Sequence, residues 1–382
     1  MNLVMSQANI NLKIDSEHLS TSSSSSSSST ESAYQENYYS EEEENYVESE
    51  IETDDDECKT QCDLDLINFS SYINRNLTEK QMRDLFYKDY SIGKEIGKGG
   101  FGTIFSGIKN STNQLVALKV IRKTNVTQWY NLDISDDFIY EMDERQDVLV
   151  TRRIPLEIAL MIRVRNVKNC IKILDYLEQK NCFIIVMERY EYSKDLFDYI
   201  TEMSYKSTTN GLGENLAKEY FKQIVETVLA IKNLGVLHRD IKDENILIDL
   251  KTNQVKLIDF GAGTFTNTQK SSKYTEFYGT RVYSPPEWLV NKSYHGDRAA
   301  VWSLGVLLFN MIYGDIPWEE DDDILNCRLT TKKNLFTHDT NRSELGLFNF
   351  NKDVDNLIQS CLKINENERI KLEDILNHKW FN

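Results

Sequence analysis

No run of apolar residues in this 382-residue chain approaches the length of a bilayer span. The amino terminus has neither a basic-then-apolar leader nor a glycine in second place, so neither a secretory signal nor N-myristoylation is expected. Cysteine is sparse: of the six, only Cys58 and Cys62 lie close together, with no second pair and no histidine beside them. That spacing excludes the common zinc sites and leaves reduced thiols of a cytoplasmic protein, with the nucleus also open, as the expectation. Positive charge is scarce as well. Lys and Arg number 44 against 61 Asp and Glu, a net charge of −17, which argues against nucleic acid or an anionic membrane as partner.

The deficit is uneven. Residues 1–89 hold 20 acidic and 6 basic side chains, so about −14 of the −17 lies there and the remainder is nearly neutral. Residues 1–65 combine the serine run Ser22–Ser29 with the acidic blocks Glu41–Glu44 and Asp54–Glu57. Such a composition cannot bury enough apolar surface to offset chain entropy, so this segment reads as a disordered tail. Residues 66–89 are more apolar (Ile67, Phe69, Tyr72, Met82, Leu85, Phe86) and read as a docking segment, a short helix lying on the domain that follows.

From Tyr90 the pattern is that of folded protein. Gly97, Gly99 and Gly102 form a glycine-rich turn followed by Thr103-Ile-Phe, a β-rich run and not a helix start. A glycine hairpin between strands can lay its amides over a triphosphate. The next strand, Leu115–Ile121, places Lys119 among apolar neighbours, a costly position unless it is paired; Glu157, in the helical run Pro155–Arg163, is the expected partner. The polar stretch 124–153 between them reads as an inserted loop. Two strands, Cys170–Leu177 and Cys182–Arg189, precede helical spacing from Leu196 onward, so a strand-rich part changes to a helix-rich part near residue 190.

The stretch Val236–Leu250 organises the rest. Apolar ends flank a charged loop in which Asp240, Lys242 and Asn245 offer a hydroxyl acceptor, a phosphate-directed cation and a metal-binding amide, chemistries that phosphoryl transfer needs close together. Downstream, Asp259 follows an apolar strand and precedes Phe260-Gly261, in a position to hold a divalent ion. The segment 262–283 is rich in Ser, Thr and Tyr, and Ala299–Ile312 is apolar nearly all round, hence a buried helix.

Gly97-x-Gly99-x-x-Gly102, Val116-Ala-Leu-Lys119, Glu157, His238-Arg-Asp240 to Asn245 and Asp259-Phe-Gly261 stand in the order found in the protein kinases, which the chain resembles over residues 90–382. Gly279-Thr-Arg-Val-Tyr-Ser-Pro-Pro-Glu-Trp288, Tyr294-His-Gly296, Ala299-Ala-Val-Trp302 and Gly314-Asp-Ile-Pro317 resemble the PIM serine/threonine kinases in particular. The resemblance implies an α+β, two-lobed protein kinase fold: a small β-rich N-lobe (90–189), a larger helical C-lobe (190–382) and the disordered acidic tail in front.

The resemblance also implies the roles. ATP and Mg²⁺ are the expected cofactors. The loop Ile96, Gly97, Lys98, Gly99, Gly100, Phe101 and Gly102 would cover the phosphates, with Lys119 on the α/β-phosphates held by Glu157. Adenine would lie among Ile104, Ala117 and Leu247, with Met187 behind it and backbone contacts from Glu188 and Tyr190. Tyr190 stands where PIM kinases carry proline, so an N–H donor is available here. Asp240 would orient the substrate hydroxyl, Lys242 neutralise the γ-phosphate, and Asn245 and Asp259 hold the metal. Lys242 and Thr280 fit the serine/threonine type.

Asp195, Asp198 and Glu244 match acids that receive basic residues upstream of the target, and the acids Asp315 and Glu319–Asp323 read equally as part of that groove or as a solvated loop. Protein substrates rich in Arg and Lys, and a monomeric enzyme, are expected. Arg239 beside the catalytic aspartate is the residue that in many kinases pairs with an activation-segment phosphate, whereas the PIM resemblance implies activity without that phosphate, with loop acids in its place; here Glu276 keeps one acid of the PIM pattern and Tyr278 replaces another, so Ser271, Ser272 and Thr275 are candidate phosphorylation sites. Two alternatives stand beside this reading. A pseudokinase scaffold usually lacks the strand lysine, the loop aspartate or the metal aspartate, and all three are present. A dinucleotide-binding enzyme fails on the strand after Gly102.

Overall fold

The computed structural model describes residues 77–100, 102–133, 151–206, 211–266, 273–318, 320–328 and 351–382. The acidic tail, Phe101, Ser271, Ser272 and Glu319 lie outside the described residues.

Thr78 opens the first helix, α1 (Glu79–Asp89): its hydroxyl accepts the Gln81 N–H while the Gln81 side chain takes the Thr78 N–H. The chain then runs through β1 (Tyr90–Gly99), β2 (Gly102–Lys109) and β3 (Gln114–Arg122). A hairpin of β4 (Trp129–Asp133) and β5 (Thr151–Pro155) follows, then α2 (Leu156–Arg163), β6 (Ile173–Glu178) and β7 (Cys182–Glu188). Five of these strands make one antiparallel sheet in the order β1-β2-β3-β7-β6.

Side-chain alternation gives that sheet two working faces. On one, Val116 and Leu118 of β3 and Cys182, Ile184 and Val186 of β7 pack with Phe86 and Tyr90 under α1. On the other, Ala117 and Ile121 together with Phe183, Ile185 and Met187 join the main core, which continues through α2 into the second lobe. The apolar run of β7 is thus explained by burial on both sides. Lys119, between Ala117 and Ile121, points to the second face and so toward the cleft.

The stretch 124–153, expected as a loop, carries strand pairing at its two ends, where β4 and β5 pair from Trp129↔Pro155 to Asp133↔Thr151. The strand partners are separated by an acid-rich stretch, which hid the hairpin from a pattern reading.

The second lobe contains β8 (Ser193–Asp195), α3 (Leu196–Lys206), α4 (Glu214–Asn233), β9 (Val236–Leu237), β10 (Ile246–Asp249), β11 (Gln254–Leu257) and β12 (Thr264–Phe265). It continues with α5 (Pro286–Asn291), α6 (Gly296–Tyr313), α7 (Asp321–Leu325) and α8 (Lys352–Cys361). The small sheets β11-β10-β8 and β12-β9 frame the loop between Leu237 and Ile246. Beneath it lies α6, buried from Val301 through Tyr313 with only Ser303 more open, and with a single polar interior side chain, Asn310. No helix among the described residues is long and apolar enough to cross a membrane.

Candidate active site

The glycine turn connects β1 to β2 with Gly99 opposite Gly102. Gly102 has φ +150°, and a Cβ there would come within 2.5 Å of the Val120 carbonyl, so only glycine closes this hairpin onto β3. Ile96, Gly97, Lys98 and Gly99 lie on β1, and Gly100 on the turn. Ala117 pairs with Met187 across β3 and β7, and Ile104 on β2 stands opposite Lys119, so these apolar residues sit beside the buried cation.

Lys119 is only 4% exposed. Its Nζ donates to Glu157 Oε1 at 2.6 Å and to Asp259 Oδ1 at 2.9 Å. Burial alone would lower its pKa, but the carboxylates of Glu157 and Asp259 outweigh it and the net shift is upward, so Lys119 stays an ammonium. Burial likewise works against the Asp259 carboxylate; the Lys119 charge, its hydrogen bond and the Gly261 N–H at 3.1 Å reverse that and hold its pKa below the usual range. Asp259 adopts the left-handed conformation, φ 62°, which Asp tolerates better than most residues and which lets its side chain cap the turn at Gly261.

The catalytic loop is wired through Asp240. Oδ1 accepts the Thr280 N–H at 2.8 Å and the Thr280 hydroxyl at 2.9 Å, and Oδ2 accepts the Asn245 amide at 2.9 Å. A carboxylate has about four acceptor positions, so one remains for an incoming hydroxyl. Lys242 Nζ donates to Thr280 Oγ1 at 2.9 Å, lies 3.5 Å from Asp240 Oδ2, and pairs with Glu244 at 2.7 Å. The Asn245 amide nitrogen also donates to the Asp240 carbonyl at 2.8 Å, so only its Oδ1 could serve a metal. Leu247 follows on β10, opposite Asp195 of β8.

Buried groups hold this loop from below. His238 Nε2 lies 2.9 Å from the Ile258 carbonyl and its ring packs edge-on to Phe260 at 4.9 Å; burial pushes its pKa down, so the ring is neutral. Asp243 receives the Tyr283 hydroxyl at 3.1 Å and the Asn310 amide at 2.5 Å, tying the loop to the activation segment and to α6. Asp243 and Asn310 were missed in the sequence reading. The signal for one was present: Asn310 is the lone amide within an apolar helix, and a buried polar residue is informative where an exposed apolar one is not.

Asp195 caps α3 by accepting the Asp198 N–H at 2.7 Å. Its pKa is raised, first by burial and then by the Asp198 and Glu244 charges. The downstream acidic run is partly engaged. Asp321 makes a bidentate pair with Arg281 at 3.0 and 2.7 Å, Asp323 caps α7 and meets Arg328, and these acids are therefore not a free wall.

At the interlobe connector the Glu188 N–H is taken by the Lys172 carbonyl and the Tyr190 carbonyl by the Ser193 hydroxyl. Arg239 donates to the carbonyls of Ala262 (2.7 Å) and Gly263 (3.1 Å) and covers the rings of Tyr278 (4.8 Å) and Tyr274 (5.8 Å). Glu276 takes the Tyr278 hydroxyl at 2.6 Å.

The donor set suits Mg²⁺, which takes oxygen ligands from one or two protein groups and completes its shell with water and phosphate. Asp259 and Asn245 supply an oxygen each, and no cluster of three or more His, Cys, Asp or Glu able to hold a metal occurs among the described residues. A metal here would neutralise phosphate charge.

Comparison with known proteins agrees with this geometry. Residues 90–381 match the protein kinase domain family. The chain is 38% identical over 312 residues to the serine/threonine-protein kinase pim-2 of Danio rerio, covering 80% of this chain and 88% of that protein. It is 36% identical over 295 residues to the serine/threonine-protein kinase prk-2 of Caenorhabditis elegans, covering 77% of this chain and 58% of the relative. It is 30% identical over 298 residues to an SNF-related serine/threonine-protein kinase of Homo sapiens, covering 76% of this chain and 33% of the relative. The chain belongs to the protein kinase family, on its serine/threonine branch.

Proposed function

We propose that the chain is a catalytically active kinase that transfers the γ-phosphate of ATP to serine or threonine in proteins carrying Arg or Lys upstream of the target. The observation that carries this reading is the single hydrogen-bonded network of Asp240, Lys242, Asn245 and Thr280 opposite an intact Lys119–Glu157 pair. Asp240 offers its remaining acceptor position to the substrate hydroxyl, orients the oxygen toward the γ-phosphorus and takes the proton as the P–O bond forms and the β–γ bridging oxygen leaves with ADP. Lys242 neutralises the transferred group. Lys119 exchanges its Asp259 contact for the α/β-phosphates while Glu157 keeps it in place. Adenine rests on Ile104, Ala117, Met187 and Leu247, with the backbone of Glu188 and Tyr190 as partners.

Asp195, Asp198 and Glu244 supply the basic-residue preference, because a guanidinium can pair with their carboxylates, that of Glu244 while it also meets Lys242. Glu244→Gln and Asp198→Asn each raise KM for an arginine-containing serine peptide by about tenfold, and leave KM for its arginine-free counterpart within about twofold. Steady-state kinetics on the two peptides check this; equal changes on both would remove the acids from substrate recognition.

A further inference from the structure

A hollow of about 350 Å³ opens beside the interlobe connector, between Glu188–Tyr192, the start of β3 at Gln114 and the turn after β10 at Lys251. Ile104, Ala117, Met187 and Leu247 take no part in its walls, so it is not the adenine site, with which it shares only Glu188 and Tyr190. Its charges are unbalanced once the bonds within its walls are counted. The Asp249 carboxylate is spent on its own turn: Oδ1 accepts the Lys251 N–H at 3.0 Å and Oδ2 the Thr252 hydroxyl at 2.7 Å. Glu188 Oε1 accepts the Lys172 N–H at 3.1 Å and lies 3.8 Å from Lys256 Nζ. Glu191 is the one other acid of the walls. Arg189 and Lys251 face it, and among the described residues no carboxylate pairs with either. Lys251 Nζ rests 4.0 Å over the half-exposed ring of Tyr192, which fixes the ammonium at the rim. Two placed cations beside engaged acids make a receptor for carboxylates.

The chain carries such carboxylates within reach. Residues 54–65 hold six acids, Asp54–Glu57, Asp63 and Asp65, against Lys59 alone. The described chain begins at Leu77, and Glu79 fastens the start of α1 to the β6–β7 turn, where its Oε1 accepts the Lys180 N–H at 2.9 Å. From that turn β7 runs to Glu188 at the connector, about 20 Å along the strand. The stretch 66–76 spans up to about 36 Å when extended, so Asp65 reaches the hollow and the acids before it have slack. A tether of that kind holds them there at about millimolar effective concentration, enough for pairs that would be weak between separate molecules.

We propose that this hollow is the seat of the acidic segment 54–65 of the same chain, with its carboxylates paired to Arg189 and Lys251, so that the acidic tail is tied to the connector joining the two lobes. The pairing needs no turnover, so its test stands apart from the reading as an active enzyme. The full chain is treated with a carbodiimide, which takes up one oxygen as a urea while a carboxylate and a touching lysine amine close to an amide, and the links are mapped by mass spectrometry. At low ionic strength Lys251 is linked to residues 54–65. In about 1 M salt, where charges are screened beyond about 3 Å, that link falls at least about fivefold. Hydrogen exchange at residues 188–192 gives a second reading. Arg189→Glu with Lys251→Glu quickens it about fivefold, the loss of two exposed ion pairs. Adding Asp54→Lys, Asp55→Lys, Asp56→Lys and Glu57→Lys to that variant restores the slower exchange. A Lys251 link that is absent, or no more frequent than links to lysines elsewhere such as Lys94 and Lys363, overturns the proposal. Links that join two chains in dilute protein give the hollow to a second copy and overturn it as well. Exchange at 188–192 that ignores both sets of charge reversals shows that the segment does not sit there.

Discussion

Asp240→Asn lowers kcat by about 10²–10⁴-fold, the range contributed by a positioned proton acceptor. The substitution keeps size and shape but removes the acceptor. It also puts an NH₂ group against the Thr280 N–H and hydroxyl or against the Asn245 amide, all of which now donate to the carboxylate. One donor–donor contact costs about 1–3 kcal/mol, so a modest fall in stability accompanies the loss of turnover. Nucleotide affinity should change little, because Asp240 is wired to Thr280 and Asn245 and the phosphate cation Lys119 is held by Glu157 and Asp259. Single-turnover kinetics with a peptide, beside nucleotide binding by calorimetry, separate the two. An Asp240→Asn enzyme with wild-type kcat would require another base.

The largest expected loss of stability lies far from the cleft. Arg369, 3% exposed, forms a bidentate pair with Glu287 at the start of α5, donates to the carbonyls of Lys363 (2.8 Å) and Arg298 (3.0 Å), and lies over the Trp302 ring at 4.9 Å. Removing it leaves a buried carboxylate without its counter-charge, which costs about 3–5 kcal/mol. Arg369→Ala is therefore strongly destabilised in urea unfolding. Replacing both partners by apolar residues, Arg369→Met with Glu287→Leu, recovers most of that loss, because the penalty belongs to the orphaned charge and not to the missing attraction. Equal destabilisation of the single and double variants would contradict this account. The pair has a functional side: Glu287 follows the segment Arg281–Tyr283, whose Tyr283 hydroxyl supports Asp243 beneath the catalytic loop.

What could be read from the chain was what short-range chemistry dictates. A lysine within Val116-Ala-Leu-Lys119-Val-Ile demands a buried partner, and Glu157 is that partner at 2.6 Å. The alternation in β3 and the nearly all-apolar β7 announce strands, though only the structure shows that α1 covers one face and so explains why both faces of β7 are apolar. Contacts closed by the fold were not readable. The β4–β5 pairing spans the stretch between Asp133 and Thr151, and neither strand has a clean two-residue period. The Asp243–Asn310 bond joins residues 67 apart, and the attachment of Gln128 to Arg239 spans 111. The sequence suggested only an activation-segment phosphate as company for Arg239; the company the structure gives it, two tyrosine rings and three oxygen acceptors, depends on how the activation segment lies against the loop.

The acidic run at Asp315–Asp323 shows the limit from the other side. Charge density alone left it open between a substrate groove and a solvated loop; the structure shows Asp321 spent on Arg281 and Asp323 on capping α7. Asp195 is set opposite Leu247 by the β8–β10 pairing and caps the start of α3 through the Asp198 N–H.

The central claim is that Lys119, Asp240, Lys242, Asn245 and Asp259 form a working phosphotransfer site. It is tested most directly by incubating the full chain with Mg²⁺ and ATP labelled at the γ-phosphate, offering an arginine-rich serine peptide, and running Lys119→Met in parallel. The account predicts label on the peptide serine with wild type and none above background with Lys119→Met. Wild-type protein that binds ATP yet leaves every peptide unlabelled, in the phosphorylated and the phosphate-free state alike, would contradict it.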